Sequence, residues 1–229
     1  MTKGKEREIV EEFLRGIQGP QPMEHESKRL LSGLGIPVPK GVFIPKENIS
    51  KKEVFLKTAP LGFPLVAKTA SPAFRAKTEA GAIRLRLEKK EQAMEAAREL
   101  AGIEGAKGVL IEQMIEGGTE AIVGGLMDAQ FGPVVAFGLG GIFAEVFRDV
   151  SFALAPVNEK EALRLATRIK GKELLFGIRG RPPADLKALS AAIATVSRLI
   201  ATGLIKEIDL NPLALFPSGA FALDAKIFV

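Results

Sequence analysis

The end of the chain constrains the fold most, because polar and apolar residues alternate there in two runs, 205–215 and 221–228. The turn-forming residues 217–219 (Pro-Ser-Gly) lie between the runs, so the segment predicts a β-hairpin. Side chains alternate across a strand, which puts three polar residues of the first run on one face: Glu207, Asp209 and Asn211. Asp224, on the returning strand, is predicted to lie within reach of that face.

The donor atoms of these four residues are all oxygens. Three carboxylates and an amide suit a hard cation such as Mg²⁺, and the chain has no cysteine and only one histidine. A magnesium site without its own protein cage normally includes a phosphate ligand. The hairpin therefore predicts a metal site made by Asn211, Asp224, Asp209 and Glu207, and the alternative is a face that is simply solvated.

Composition narrows the class of protein. With 229 residues, 47% hydrophobic and 26% charged, the chain is expected to be globular and to form one large domain or two lobes. The lack of cysteine fits a reducing cytoplasm, and no apolar run approaches the length of a membrane span. The net charge of +5 invites a nucleic-acid partner, but basic residues are scattered among acidic ones and Trp and Tyr are absent. We therefore expect a cytoplasmic protein whose mild positive charge suits an anionic nucleotide rather than nucleic acid or a membrane.

Helical and strand periods alternate along the rest of the chain. Helices are predicted over 5–17, around Leu30–Leu34, from Ser50, and over 91–101, 159–169 and 186–200. Strands are predicted over 64–69, 83–87, 108–115, 120–127 and 133–137. This order predicts an α+β fold with mostly antiparallel strands. Glycines near 102–108 suggest a boundary, which gives a helical extension 1–21 and two lobes, 22–105 and 106–229. The apolar stripe of the first helix is expected to pack on its own lobe or on a partner.

Several residues point to a nucleotide. Lys68 ends an apolar strand, where a lysine is costly unless it meets an anion or reaches solvent. The loop 71–81 supplies Arg75, Lys77 and backbone N–H groups that could cover phosphates, although a solvated basic loop is the alternative. A purine and its ribose are candidate ligands for the strand end formed by Glu112, Gln113 and Met114, although a charge at a strand end is commonly solvated. Glu120 is an acid beside apolar neighbours, and it is either a site residue or an ordinary outward-facing strand residue.

The order of these features resembles an ATP-grasp fold, in which two lobes clasp a nucleotide. The details closely resemble the beta subunit of ADP-forming acyl-CoA (acetyl-CoA) synthetase, which is related to the succinyl-CoA synthetase beta subunit. The segments that carry the resemblance are 26–31, 35–39, 63–72, 131–152, 179–186 and the hairpin 207–224. The most specific of them are the glycine segment 137–143 (Phe-Gly-Leu-Gly-Gly-Ile-Phe) and the hairpin.

The resemblance implies a subunit of an acid–thiol ligase that works by a phosphate relay. An alpha subunit would carry the CoA site and a phosphohistidine, which delivers its phosphoryl group to ADP in the ATP-grasp cleft. By resemblance, Lys68 neutralises nucleotide phosphate, Glu112 with the adjacent backbone holds adenine, and Glu120 holds the ribose. Asn211 and Asp224 would hold Mg²⁺, with Asp209 or Glu207 as an additional ligand or a supporting group.

The cover loop departs from the family pattern. The family has a histidine in this loop that takes the phosphoryl group on its way to the nucleotide, and here the matching residue is Ala76. Because of Ala76 no catalytic residue is assigned, and two functions stay open: a subunit that completes phosphoryl transfer, and a nucleotide-binding or regulatory module without full turnover. The single histidine, His25, is expected to lie before the helix around Leu30 as a surface residue.

Overall fold

The computed structural model describes residues 3–17, 21–71, 81–141, 148–178, 180 and 182–229. Its helices are α1 (Lys3–Arg15), α2 (Glu24–Gly33), α3 (Lys51–Thr58), α4 (Lys90–Gly102), α5 (Glu159–Ala166), α6 (Glu173–Phe176) and α7 (Leu186–Ile200). Its strands are β1 (Gly41–Pro45), β2 (Leu65–Ala70), β3 (Ile83–Leu87), β4 (Gly108–Gln113), β5 (Thr119–Asp128), β6 (Gly132–Leu139), β7 (Val150–Leu154), β8 (Glu207–Leu215), β9 (Ala220–Ala222) and β10 (Lys226–Phe228). Every strand pairing is antiparallel, so the predicted α+β class is confirmed. No helix in the described part of the chain is long and apolar enough to cross a membrane.

The chain divides into two compact units. The smaller contains residues 23–26 and 39–116, and the larger contains the described residues of 1–22 together with 27–38 and 117–229. The predicted boundary at 105/106 is wrong, because β4 pairs with β1 and β2 and therefore belongs to the smaller unit. Helix α1, from the predicted extension 1–21, packs within the larger unit.

The smaller unit is built on a four-stranded sheet in the order β1-β4-β2-β3. All six residues of β2 are buried, as expected for an inner strand under helices. The alanine-rich face of α4 packs on β2 and β4, and a buried core joins Leu65, Leu100 and Ile111. Ser50 caps α3 by accepting a hydrogen bond from the Glu53 N–H at 3.2 Å, as the sequence predicts.

The larger unit is built on a sheet in the order β10-β8-β5-β6-β7, with β9 added beside β8. Helix α7 packs against β5, β6 and β8, and α5 and α1 pack on α7. Gly125 permits the close approach of α7, because a Cβ there would lie 3.2 Å from Val196 and 3.3 Å from Ile200. Fully buried Phe137, Leu165 and Ile193 belong to this core.

Helix α1 resolves an alternative that the sequence leaves open. Val10 and Phe13 from its apolar stripe are buried in the core of the larger unit. Glu6 is buried beside them, and the Arg198 Nε of α7 lies 2.5 Å from its Oε1. The helix therefore docks on its own unit.

Candidate functional site

Lys68 lies inside β2 and its charge is already balanced within the smaller unit. Its Nζ is 2.6 Å from Glu24 Oε1 and 3.0 Å from Glu112 Oε2. The side chains of Lys68, Glu24 and Glu112 are only 8%, 4% and 3% exposed. A buried ammonium requires such partners, since an isolated charge costs several kcal/mol to desolvate. One ammonium and two carboxylates leave this cluster with a formal charge of −1.

Two of the residues that build this cluster were not recognised from the sequence. Glu24 begins α2 and sits just before the segment 26–31 that carries the family resemblance, but its pairing with a residue 44 positions away has no local signal. Gly41 lies opposite Glu112 in the β1–β4 register, and a Cβ there would be 2.6 Å from Glu112 Cγ. Glycine therefore leaves the room that the Glu112 side chain occupies.

The end of β4 carries the predicted purine-contact residues. The Gln113 N–H donates to Lys40 O at 2.8 Å, and the Met114 N–H donates to Pro64 O at 3.0 Å. The Gln113 side chain donates to Leu61 O at 2.5 Å. These backbone N–H groups serve the fold of the smaller unit, so they are not the groups that a purine would meet.

Two predicted phosphate-contact residues, Arg75 and Lys77, lie outside the described residues together with Ala76. His25 lies within α2 rather than before it, so that prediction is wrong. The prediction of a surface position is also wrong, because His25 is half-buried and its ring stacks on Phe43 with the centroids 4.1 Å apart.

In the larger unit, β8 carries the predicted acidic face. Ile208 and Leu210 are buried, whereas Glu207, Asp209 and Asn211 are not. This confirms the predicted alternation over 207–211. The returning strand is not continuous, in contrast to the prediction. β9 pairs with residues 213–215, whereas β10 pairs with 207–209, and a break at 223–225 separates them.

The break lies beside an irregularity in β8. Ala121 pairs with Leu213 but Val123 pairs with Leu210, so β8 has one extra residue at 211–212 relative to β5. Pro212 has no N–H to continue the ladder, which favours such a bulge. The Leu223 N–H donates to Pro212 O at 2.9 Å. This hydrogen bond joins the break, which includes Asp224, to the bulge, which includes Asn211.

The acidic face has excess negative charge. Burial raises the pKa of Asp209, the nearby Asp224 and Glu207 carboxylates raise it further, and Lys226 opposes them. The Lys226 Nζ is 3.9 Å from Asp224 Oδ2 and faces Asp209 across the strand pair. The carboxylates outnumber the ammonium groups at this face, which favours a cation.

The oxygen donors of this face fit a Mg²⁺ ion that takes few of its ligands from the protein. Among the residues that the structure describes, no three Asp, Glu, His or Cys side chains are grouped as a complete metal site. Mg²⁺ commonly takes only one or two carboxylates from a protein and fills its other positions with water and phosphate. The face therefore suits a magnesium ion that arrives with a nucleotide rather than a permanently caged ion.

Glu120 lies at the start of β5 against the glycine turn that follows β6. The Gly140 N–H donates to Glu120 O at 2.8 Å, and a Cβ on Gly140 would lie 3.0 Å from Glu120 Cβ. Gly141 has φ +63°, which favours glycine, and a Cβ there would be 3.6 Å from Glu120 Oε2. The turn leaves the Glu120 side chain exposed, as a ribose contact requires.

Comparisons with known proteins add to this geometry. Residues 19–229 match the family model of the ATP-grasp domain. The chain is 36% identical to the acetate–CoA ligase (ADP-forming) I subunit beta of Pyrococcus furiosus, over 98% of each chain.

The fold is also similar to that of a solved acetyl-coenzyme A synthetase 1 from Candidatus Korarchaeum cryptofilum, in complex with coenzyme A and Ca-AMPCP. The TM-score is 0.87 at 34% identity, over 97% of this chain and 99% of that one. A second structure of that protein holds coenzyme A and Mg-AMPPCP, with a phosphohistidine segment pointing towards the nucleotide binding site. Its TM-score is 0.80 at 35% identity, over 98% of this chain and 99% of that one.

Proposed function

This chain belongs to the ATP-grasp family, in the group that contains the beta subunits of ADP-forming acetate–CoA ligases, and from that premise we propose how it acts. It is the nucleotide-binding subunit of an ADP-forming acyl-CoA synthetase. It binds ADP or ATP with Mg²⁺ and supports phosphoryl transfer between the nucleotide and a phosphohistidine. A partner alpha subunit carries that phosphohistidine and the CoA site.

The observation that carries this proposal is the acidic face of β8 and β10. Its excess of carboxylates is unsuited to a bare nucleotide phosphate but suited to a magnesium–nucleotide complex. Asn211 and Asp224 hold the ion in this proposal, with Asp209 or Glu207 as a further ligand or support. Bound Mg²⁺ supplies charge neutralisation to the phosphates.

The proposed role of Lys68 as a phosphate contact implies a change in its ion-pair partners when nucleotide binds. A phosphate would add negative charge to a cluster that already carries −1 with Glu24 and Glu112. Lys68 can neutralise a phosphate more effectively if one carboxylate takes up a proton or moves away. Nucleotide binding is therefore expected to change the partners of Lys68, while Glu112 becomes available to adenine.

Strand β7 supports the need for a partner subunit. It forms one edge of its sheet, and its outward residues Val150, Phe152 and Leu154 are all apolar and exposed. Natural edge strands usually carry charges or proline that block pairing with another chain. Three other described edge strands follow that rule, with Pro45 in β1, Arg84 and Arg86 in β3, and Lys226 in β10, while β9 is an edge of only three residues. We assign β7 as an edge onto which the alpha subunit adds a strand or an apolar segment.

Ala76 favours a second candidate function. Alanine offers neither a nucleophile nor a proton acceptor, so this loop cannot carry a phosphoryl group as the histidine of the family does. The chain would then bind nucleotide and act as a module without full turnover, unless the partner's phosphohistidine reaches the nucleotide directly.

Reconstitution with the alpha subunit separates the two functions. The unmodified pair and an Ala76→His pair are assayed for acyl-CoA- and phosphate-dependent ATP formation from ADP. Comparable activity in both pairs supports the ligase subunit with direct transfer. Accumulation of acyl phosphate without ATP in the unmodified pair, with a large gain in Ala76→His, supports the second candidate. No ATP formation in either pair contradicts the proposed ligase function.

A further inference from the structure

Lys28 of α2 is a buried lysine with a contact beside the acidic face. It is 3% exposed, and its Nζ donates to Leu223 O at 2.8 Å. Both residues belong to the larger unit. Lys28 lies in the segment 26–31 that carries the family resemblance, yet none of the roles assigned above uses it.

The carbonyl that Lys28 holds is the one that joins Leu223 to Asp224. The orientation of that peptide helps to set the direction in which the Asp224 side chain leaves the backbone. Neighbouring groups hold the same break: Leu223 N–H donates to Pro212 O at 2.9 Å and Ala222 N–H donates to Pro37 O at 2.9 Å. After the break, the Ala225 N–H donates to Asp224 Oδ1 at 2.9 Å. Lys28 supplies a cationic side chain to these contacts.

Burying the ammonium is costly, so its position against the break needs a physical reason. A methionine would fill nearly the same volume without the desolvation cost of a charge. The break instead joins β9 to β10 in a stretch without ladder pairing, where a short loop would otherwise sample several conformations. A charge-assisted hydrogen bond to the carbonyl restricts that loop strongly.

We propose that Lys28 is a positioning residue, which holds the Leu223–Asp224 peptide so that the Asp224 carboxylate is aimed at the magnesium ion of a bound nucleotide. This inference rests on the proposed function. It assigns to α2 a role in preparing the metal face before the ion arrives. Groups that orient metal ligands typically change metal affinity about 10- to 100-fold when they are removed.

The test compares Lys28→Met with Arg29→Met. Arg29 is the exposed neighbour on the same helix, and its replacement removes the same charge. ATP binding to the intact chain is measured by calorimetry with Mg²⁺ and with a chelator, together with the melting temperature of the nucleotide-free protein. The quantity of interest is the gain in ATP affinity that Mg²⁺ provides.

Lys28→Met is expected to reduce that gain about tenfold or more, while ATP affinity in chelator changes less than about twofold. Arg29→Met is expected to keep the wild-type gain, and Lys28→Arg, which keeps the charge with a different donor geometry, should fall between. Equal losses with and without Mg²⁺ would indicate a structural role and overturn the inference. A wild-type gain in whichever Lys28 variant folds would also overturn it. A wild-type protein without any Mg²⁺-dependent gain contradicts the proposed function itself.

Discussion

Asp209 illustrates at the residue scale how a site for a cation can oppose stability. Its pKa is raised, chiefly by burial and then by the Asp224 and Glu207 carboxylates, despite Lys226. A carboxyl with a raised pKa contributes stability below its unfolded pKa and loses that contribution as pH rises through its folded pKa. At neutral pH the ionised Asp209 therefore costs stability in the metal-free protein.

Asp209→Asn should stabilise the metal-free protein by about 0.5–2 kcal/mol at pH 7, because it removes an unfavourable charge and keeps the side-chain shape. The gain should shrink as the pH falls towards the unfolded pKa of aspartate, where the wild-type residue is protonated in both states. Denaturant unfolding at several pH values measures this. Asp128→Asn is the matched control, since backbone N–H groups of Phe131 and Gln130 lower the pKa of Asp128. A stability loss in Asp209→Asn at pH 7 would contradict the electrostatic account.

The sequence predicted the polar face of β8 but not the partners of Lys68, and the difference has a physical reason. The alternation of β8 fixes which residues share its polar face, because the strand period is local. The partners of Lys68 are not local: Glu24 and Glu112 come from a helix and a strand whose approach depends on the whole smaller unit. A lysine within an apolar run of the sequence indicates that an anion lies near it. It does not indicate whether that anion is a ligand or a carboxylate of the protein itself.

At the scale of elements, the helical spacing of apolar residues predicted the first and last helices well. Two strands were not predicted, because the sequence around them carries no clear strand signal. The predicted first and last helices correspond to α1 and α7, and the predicted strand 83–87 is β3. β1 and β7 were missed, since neither has a flanking strand–turn–strand signal. The interruption between β9 and β10 was missed because it follows from a bulge on the opposite strand at Pro212.

The docking of α1 leads to a prediction at this scale. Glu6→Gln should destabilise the protein by about 1–3 kcal/mol, because it weakens a charged hydrogen bond and leaves Arg198 without its carboxylate. Glu8→Gln, at an exposed position of the same helix, should change stability by less than about 0.5 kcal/mol. Urea denaturation measures both. Equal effects would mean that the Glu6–Arg198 pair does not anchor α1.

Strand β7 provides a second prediction at this scale. Phe152→Lys should greatly reduce association with the alpha subunit, since it places a charge on the open apolar edge. Leu56→Lys is the matched control, because Leu56 is 66% exposed in α3 and Phe152 is 62% exposed. Co-purification and the binding affinity for the alpha subunit are measured, with ATP binding as a check on folding. Unchanged association in Phe152→Lys would show that the partner binds elsewhere.

At the scale of the whole molecule, the sequence resemblance predicted the family correctly, and the match over residues 19–229 confirms it. The boundary between the two units was misplaced, because the glycines near 105 mark a turn before β4 and not a change of unit. The chemistry of transfer depends on a loop that differs from the family at Ala76 and on a second subunit. Nucleotide binding is therefore the part of the proposed function that we expect this chain to display alone.

Calorimetric titration of ADP and ATP into the purified chain, with and without Mg²⁺, tests the central claim most directly. The account predicts binding that strengthens when Mg²⁺ is present, and an Asp224→Ala variant that loses most of this gain but retains the affinity seen in chelator. Glu159→Ala, on a different element of the same unit, removes the same charge at an exposed position and serves as the control. Nucleotide binding that is indifferent to both Mg²⁺ and Asp224 would contradict the account.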